Sequence, residues 1–272
     1  MNLQEKEARL EALLREMAPV MVAFSGGVDS SYLAYKAHRV LDDAALAVTA
    51  ESPSVPSRQR EMALRLAGEF RFRHEFVNTQ EIEREEYREN PPERCYFCKD
   101  TLFELLITLA KKRGFATVVD GLNADDLGDY RPGRRAAEEH GIRSPLMEAG
   151  LNKDEIRQLS RQAGLATADQ PASACLASRF PYGVRITEEK LRMVDRGEEA
   201  LRAMGFGVFR VRHHEELVRL EFGKEELLKA LNPEVAGRLT EIFKGLGYKF
   251  VTLDLEGYRT GSLNEVLVTR IT

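Results

Sequence analysis

Two hydrophobic periods alternate along the first two thirds of the chain. Short apolar runs, typical of buried strands, occur at 20–24, 45–50, 70–77 and 116–121. Amphipathic helical patterns separate or precede them, at 2–16, 30–41, 57–68 and 98–112. Because strands and helices alternate, this part of the chain predicts a parallel sheet with helices on both faces, an α/β fold.

The pattern changes after about residue 185. A long polar helix is predicted over 187–204, followed by two strand-like runs, FGVFRVRHH and ELVRLEF, whose turn falls near His214 and Glu215. Helical stretches at 224–231 and 233–244 and a last strand, YKFVTLDLE, complete a smaller α+β domain. We therefore place a boundary between Tyr182 and Thr187, which gives domains 1–184 and 185–272.

Composition narrows the class of protein. The 272 residues contain 40 basic and 44 acidic side chains, a net charge of -4, which gives no electrostatic case for binding nucleic acid or a membrane surface. No apolar stretch approaches the roughly 20 residues that cross a bilayer, and the charged amphipathic start does not have the pattern of a signal peptide. We expect a cytoplasmic protein. Three cysteines argue against a disulfide framework and favour metal binding or catalysis.

A glycine-rich motif, SGGVDSS at 25–31, lies between a predicted strand and a predicted helix. Glycines let the backbone approach a ligand, and the amides and dipole of a helix N-terminus favour an anion. The motif lacks the Gly-Lys-Ser/Thr ending of a Walker A loop. Its plainest interpretation is a turn with Asp29 or Ser30 as helix cap.

The full string resembles the pyrophosphate loop of the PP-loop ATP pyrophosphatase superfamily, whose members cleave ATP between the α and β phosphates. That resemblance implies that Ser25, Gly26, Gly27 and Ser30 hold the leaving pyrophosphate, and that Asp29 lies close to magnesium. Similarly, Lys153 in SPLMEAGLNKDEIRQL resembles a superfamily lysine that reaches the phosphates; by itself the segment is an amphipathic helix with an Asn152 cap.

A polar segment, GLNADDLGDYRPG, follows the strand at 116–121. It begins at Gly121, which we assign to nucleotide binding, and places Asp125 as a candidate magnesium ligand. Further charged residues follow: Asp126, Asp129, Arg131 and Arg134. A polar loop with internal salt bridges is the alternative interpretation.

Two cysteines, Cys95 and Cys98, form a C-x-x-C motif whose second cysteine is predicted at or just before a helix start, where thiolates are favoured. Half of a zinc site, a redox pair, part of an iron-sulfur site and two unrelated thiols all stay open. The cysteine count excludes a four-cysteine zinc site, although histidines could complete one.

The third cysteine, Cys175, lies in PASACLASRF, where a small buried side chain is the ordinary interpretation. Together with SGGVDSS, ERCYFCK and LEGYRTGSLNE, however, this segment resembles the LarE family of ATP-dependent sulfur transferases over essentially the whole chain. The resemblance implies adenylation of a carboxylate of pyridinium-3,5-biscarboxylic acid mononucleotide, with ATP and Mg²⁺, and its conversion to a thiocarboxylate for the nickel-pincer cofactor of lactate racemase.

Two sulfur sources occur in that family. In one form the cysteine corresponding to Cys175 gives up its own sulfur and becomes dehydroalanine. In the other, three cysteines hold a 4Fe-4S cluster whose fourth iron carries sulfide. Because Cys95, Cys98 and Cys175 number three, the resemblance favours the cluster form here. It also implies a homo-oligomer, since family members assemble as hexamers, and it leaves the sulfide source unknown.

Cations are needed to bind a mononucleotide. Arg210 and Arg212 are two apart on a predicted strand and so project from one face, where they could clamp a phosphate or pair with glutamates across the hairpin. Arg179 and Arg259 are further candidates for the phosphate of AMP or substrate. Glu199, on the helix at 187–204, is a candidate acid/base group or metal ligand, or a solvated charge.

Three rival functions remain at this point. Amidation, as in NAD or GMP synthetases, uses ammonia and does not need grouped cysteines. Thiolation of a tRNA base should bring a basic face or an added RNA-binding domain. A non-catalytic regulator would use the cysteines as a zinc or redox sensor and leave ATP intact.

Overall fold

The structure is a computed structural model that describes residues 1–128, 132–171 and 174–259. The chain forms two compact units. The first unit comprises Met1–Tyr87 and Pro92–Ala174, and the second comprises Arg88–Pro91 and the chain from Cys175 onward. The second unit thus begins upstream of the predicted boundary at 184/185, so that Cys175 and Arg179 belong to it.

The first unit alternates helices and strands. In chain order its elements are α1 (Leu3–Met17), β1 (Val20–Ala23), α2 (Val28–Leu41), β2 (Ala45–Glu51), α3 (Ser57–Phe70), β3 (His74–Asn78), α4 (Glu85–Arg88, which ends at the junction with the second unit), α5 (Arg94–Arg113), β4 (Thr117–Val119), α6 (Pro132–Glu139), α7 (Pro145–Glu148) and α8 (Lys153–Gln162). The four strands form one parallel sheet in the order β3-β2-β1-β4. The predicted parallel α/β fold is therefore confirmed.

Alternation along the strands covers both faces of the sheet. Val20 and Val22 of β1 pack into one apolar cluster with helices α1, α2 and α8. Met21 points the other way, into a second cluster with residues of α5 and α6. Because successive side chains of a strand project to opposite faces, a continuous apolar run suits a strand that is buried on both sides.

The sheet order also determines where a ligand can bind. The strand β1 is hydrogen-bonded to β2 on one side and to β4 on the other, so the chain changes direction around it. In parallel sheets of this kind ligands bind beyond the carboxyl ends of the strands, at such a switch point. SGGVDSS follows β1 and Gly121 follows β4, which places both motifs at this position.

The second unit has a three-stranded sheet and flanking helices. Its elements are α9 (Glu188–Ala203), β5 (Phe209–His214), β6 (Leu217–Phe222), α10 (Leu227–Ala230), α11 (Pro233–Gly245) and β7 (Phe250–Leu253). The strands β5 and β6 are antiparallel, and Glu215 in their turn has a φ of 55°. The predicted hairpin is thereby confirmed, whereas β7 adds to β6 in the parallel direction.

Two sequence predictions differ locally from the structure. The run at 70–77 is not one strand: α3 extends through Phe70, and β3 begins only at His74. The C-x-x-C motif does not precede its helix, because α5 begins at Arg94 and so contains both cysteines. Within the described residues no helix is long and apolar enough to cross a membrane.

Candidate active site

The loop from Ser25 to Ser30 is folded by its own polar groups. Ser30 Oγ accepts a hydrogen bond from the Ser25 amide at 3.1 Å, lies 2.9 Å from Ser25 Oγ and donates to the Gly27 carbonyl at 3.3 Å. Gly26 has a φ of +73°, and a Cβ there would lie 3.0 Å from the carbonyl oxygen of Gln59. Both the positive φ and the close approach to Gln59 favour a glycine at position 26, where the chain turns after β1.

The helix that follows this loop starts without a side-chain cap. Its N-cap is Gly27, and among the described residues no side chain caps it, whereas Asn2 and Asn152 cap α1 and α8 with complete capping boxes. Asp29 and Ser30 lie inside α2, so neither is the N-cap. The N-terminal amides of α2 keep their capacity to bind an anion.

The end of β4 touches the beginning of α2. A Cβ on Gly121 would lie 3.0 Å from the amide nitrogen of Ser30 and 3.1 Å from its Cα. Only a glycine permits this approach without a shift of backbone. Gly121 therefore lies against the start of α2, and its part in nucleotide binding stays a prediction.

A charged pair lies beside the same loop. Lys153, the first residue of α8, places its Nζ 2.6 Å from Asp29 Oδ2, and both side chains are only partly exposed. The Lys153 amide donates to Asp125 Oδ2 at 2.9 Å. Residues from the ends of β1 and β4 and from the start of α8 are thus brought together, although 124 positions separate Asp29 from Lys153.

Asp29 has one carboxylate oxygen to spare. Its Oδ1 is buried and has no hydrogen-bond partner among the described residues. An oxygen of this kind fits a hard cation such as Mg²⁺, which favours carboxylate ligands and retains several waters. Asp125 fits less well, because its Oδ2 accepts from the Lys153 amide.

Further charged residues of the segment after β4 form contacts within the protein. Asp126 Oδ2 accepts from the Asn123 amide at 3.0 Å, and Arg134 pairs with Glu138 at 2.8 Å. Asp129 and Arg131 lie outside the described residues. Asp120, at the end of β4, is buried and accepts from the Ser144 hydroxyl at 2.7 Å; burial raises the pKa of its carboxyl.

The two cysteines of the C-x-x-C motif lie three positions apart at the start of α5. Cys95 is exposed and Cys98 is half-buried. Residues at i and i+3 share one helix face, so the pair suits two thiolates directed at one ligand. Among the described residues, however, no group of three His, Cys, Asp or Glu side chains is arranged to hold a metal. Cys95 and Cys98 could supply two of the three thiolates that the predicted 4Fe-4S cluster would need.

Cys175 is half-buried at the head of a short 3-10 turn, Leu176–Arg179, in the second unit. The arginine that ends this turn is almost wholly buried. Arg179 forms a two-pronged ion pair with Glu198, Nε to Oε1 at 2.8 Å and Nη2 to Oε2 at 3.0 Å. Its Nη1 donates to the Cys175 carbonyl at 3.0 Å.

Both members of this pair stay charged. Burial acts to raise the pKa of Glu198, but the Arg179 guanidinium outweighs it and holds that pKa below its ordinary value. Conversely, burial acts to lower the pKa of Arg179, and Glu198 raises it above the usual value. A buried charge is tolerated only when it is paired and hydrogen-bonded.

The other arginines differ in how they are engaged. Arg212 Nε donates to Glu221 at 2.9 Å, and Arg259 pairs with Glu256 at 2.7 Å. Arg210 stacks on the Tyr258 ring at 4.9 Å and donates to its hydroxyl at 3.2 Å. It has no carboxylate partner among the described residues. Burial, followed by the charge of Arg179, lowers the pKa of Arg210, so an anion would relieve this crowding.

Similarity to known proteins identifies the family of this chain. A family model described as asparagine synthase matches residues 7–196. A pyridinium-3,5-bisthiocarboxylic acid mononucleotide synthase of Lactiplantibacillus plantarum is 35% identical over 98% of this chain and 96% of its own length. The chain belongs to the LarE family of the PP-loop ATP pyrophosphatase superfamily. Two further relatives are uncharacterized proteins, from Synechocystis, 44% identical over 97% of this chain and 99% of its own, and from Methanocaldococcus jannaschii, 31% identical over 89% and 91%.

As a LarE-family chain the protein is an enzyme of the ATP pyrophosphatase type. The structure brings together Ser25, Gly26, Gly27, Asp29, Ser30, Gly121, Asp125 and Lys153 at one edge of the first sheet. Glu199, in contrast, is exposed on α9, and it is the preceding Glu198 that is buried beside Arg179.

Sequence reasoning missed several buried polar residues. Besides Glu198 and Asp120, Glu81 is buried, bonds the Ser52 hydroxyl through Oε1 and leaves Oε2 without a partner among the described residues. Each lies in a charged or polar stretch of sequence, DG, GEEA or TQEIE, with no apolar periodicity to mark it. A buried acid that pairs with a distant residue leaves no local signal in the sequence.

Proposed function

We propose that this chain is an ATP-dependent sulfur transferase, which adenylates a carboxylate of pyridinium-3,5-biscarboxylic acid mononucleotide and converts it to a thiocarboxylate. The product belongs to nickel-pincer cofactor biosynthesis. One observation carries the proposal: an uncapped helix N-terminus faces a glycine-serine loop, with Lys153 and Asp29 paired beside it. The printed name of the L. plantarum relative supplies the substrate class.

Adenylation is assigned to the first unit. A carboxylate oxygen of the substrate attacks the α-phosphorus of ATP, the bond to the bridging oxygen of the β-phosphate breaks, and pyrophosphate leaves. The N-terminal amides of α2 and the Lys153 ammonium stabilise the charge on the departing group. Mg²⁺, held by Asp29 and, in our proposal, by Asp125, would supply further neutralisation of the phosphates.

Sulfur delivery is assigned to Cys175. Its thiolate attacks the acyl carbon of the adenylate, a C–S bond forms, and AMP leaves with the electron pair of the acyl C–O bond. If the cysteine is sacrificed, loss of the Cα proton and cleavage of the Cβ–Sγ bond release the thiocarboxylate and leave dehydroalanine. This sequence of steps balances without an oxidant or a reductant. Glu199 stays our prediction for an acid/base group or metal ligand.

The substrate phosphate is assigned first to Arg210. Three other arginines stay predicted phosphate ligands: Arg212, Arg179 and Arg259. Each of them already donates to a protein carboxylate. A guanidinium without such a partner gains most from a phosphate, because no existing ion pair must be broken.

The cluster form of sulfur delivery is supported by the number of cysteines in the chain, which is three. In that form Cys95, Cys98 and Cys175 would hold a 4Fe-4S cluster that carries sulfide. Protein prepared without oxygen would then be brown, contain about four iron atoms per chain and lose its colour when any of the three cysteines is replaced by serine. Colourless protein that loses the mass of one sulfur from Cys175 after one turnover would establish the sacrificial form instead.

The decisive test of the function is ATP–pyrophosphate exchange. We expect exchange that depends on pyridinium-3,5-biscarboxylic acid mononucleotide, followed by formation of a thiocarboxylate detectable by mass. Exchange that is stimulated by an unrelated carboxylate and accompanied by consumption of ammonia would favour an amidating enzyme. Exchange that depends on tRNA would favour an enzyme that thiolates a tRNA base. Binding of ATP without any exchange would indicate a regulator and overturn the assignment.

A further inference from the structure

The backbone carbonyl of Cys175 accepts an unusual number of hydrogen bonds. The Ser178 amide donates to it at 3.0 Å, the Ser178 hydroxyl at 2.8 Å and Arg179 Nη1 at 3.0 Å. A carbonyl ordinarily accepts one or two such bonds, since it has two lone pairs. The backbone of the residue that bears the proposed sulfur is therefore fixed by three donors.

The Arg179 guanidinium, which donates to this carbonyl, is itself bound by Glu198. Glu198 binds it through both carboxylate oxygens, and the two side chains are exposed by only 2% and 1%. The planar fork of an arginine matches a carboxylate in this way only at one orientation. Glu198 fixes Nε and Nη2, and Nη1 donates to the Cys175 carbonyl and to Ser178 Oγ, at 3.0 Å from each.

A third charged residue, Arg202, also contacts Glu198. Arg202, one helical turn after Glu198 on α9, approaches Glu198 Oε2 at 3.3 Å and stacks over Phe209. It thus shares the carboxylate, and among the described residues it forms no hydrogen bond or ion pair with the Cys175 turn. This difference supplies a matched control.

We propose that Glu198 is a positioning residue that acts through Arg179 to hold Cys175 in place for sulfur delivery. The inference rests on the proposed function, because it presumes that Cys175 carries the sulfur. It also changes the role expected for Arg179, from a ligand of the substrate phosphate to the link between Glu198 and the cysteine.

Two variants and one control test this role. Glu198→Gln keeps the shape of the side chain but removes its charge, and Ser178→Ala removes one donor to the Cys175 carbonyl while leaving the ion pair intact. In both, we expect sulfur transfer to fall by about 100-fold, the loss that a displacement of about 1 Å can cause. Substrate-dependent ATP–pyrophosphate exchange, which uses the first unit, should stay within about threefold of the parent chain. Arg202→Gln should leave both rates within about twofold, because Arg202 makes only one long contact, 3.3 Å, with Glu198.

Alkylation of Cys175 by iodoacetamide, followed by peptide mass analysis, gives a readout that needs no substrate. A loosened turn opens more often, so Glu198→Gln and Ser178→Ala should speed this alkylation by roughly threefold or more, and Arg202→Gln should not. If Glu198→Gln does not unfold cooperatively, Arg179→Lys replaces it in the test, because a lysine keeps the positive charge but loses the fork that joins Glu198 to the Cys175 carbonyl. The same losses of transfer and the same gain in alkylation are expected for it.

Equal loss of exchange and transfer in the variants would indicate a merely structural role and overturn the proposal. Rates that match those of Arg202→Gln in every assay would overturn it as well. A parent chain that transfers no sulfur would instead refute the proposed function, while the alkylation rates would still show whether Glu198 holds the cysteine.

Discussion

The phosphate loop of the first unit and the arginine network of the second are built in opposite ways. The hydrogen bonds that shape the loop join residues two to five positions apart, all within Ser25 to Ser30. In the second unit, Arg179 and Glu198 are 19 positions apart, Arg212 and the Ser178 carbonyl 34, and Arg210 and Tyr258 48.

This difference has a physical basis. A phosphate loop uses backbone amides and glycines, whose conformations are dictated by neighbouring residues. A buried side-chain network depends on which elements the core brings together, and each charge is tolerated only because a distant partner neutralises it. The first kind of site can be predicted from a short string, and the second kind cannot.

The sharpest test of the loop is Lys153→Ala. We expect ATP–pyrophosphate exchange to fall by about 1000-fold, because a preorganised charge next to the leaving group is lost. Lys6→Met is the matched control, because Lys6, on α1, pairs at 2.7 Å with Glu155, a residue of α8 like Lys153. Its loss should change exchange by less than about twofold. An equal effect of the two variants would contradict a phosphate role for Lys153.

In the second unit the comparable test is Arg210→Ala. We expect the KM for the mononucleotide to rise by about 10-fold to 100-fold with a smaller change in kcat, the loss of one charge-assisted contact. Arg219→Gln serves as the control, since Arg219 already pairs with Glu221 and Asp254. An unchanged KM in Arg210→Ala would show that another cationic residue binds the substrate phosphate.

Gly121→Ala tests the close contact between β4 and α2. The added methyl group would lie 3.0 Å from a backbone nitrogen, so we expect a loss of about 1–3 kcal/mol in the free energy of unfolding, together with weaker exchange. Gly68→Ala lies inside α3, where the new Cβ would have no atom within 4 Å apart from its chain neighbours and the backbone of its own helix. It should instead gain about 0.5–1 kcal/mol. Chemical denaturation of the two variants measures both.

The smallest effect concerns pH. Burial, together with the charge of Lys190, lowers the pKa of His213 from 6.5 to about 4, and its Nδ1 lies 3.0 Å from the Tyr248 hydroxyl. A group whose folded pKa is depressed contributes stability that is present above the unfolded pKa and is lost as pH falls from 6.5 toward 4. In His213→Gln the slope of unfolding free energy against pH should therefore become shallower in this window, by at most about 1.4 kcal/mol per pH unit. An unchanged slope would show that His213 is not responsible.

Much of the first unit follows from hydrophobic periods and turn chemistry. The strands β1, β2 and β4 and the helices α2, α3 and α5 lie close to their predicted positions. The least accurate prediction there, the run at 70–77, failed because Arg71 takes a left-handed conformation, φ 56°, that ends α3 inside an apolar run. The helix that contains the C-x-x-C motif begins at Arg94, before its predicted start at 98. The sequence does not reveal this, because no apolar periodicity marks the first turn of the helix.

For the candidate site, sequence alone determined the loop, its glycines and the lysine that follows Asn152, because backbone geometry and a capping box are local properties. Only the tertiary structure decided that Lys153 pairs with Asp29 and that the buried acid on α9 is Glu198 beside the exposed Glu199. It also decided that Arg179 turns toward the Cys175 carbonyl. Those choices depend on which faces of distant elements become buried together, and burial is what gives a charged pair its strength.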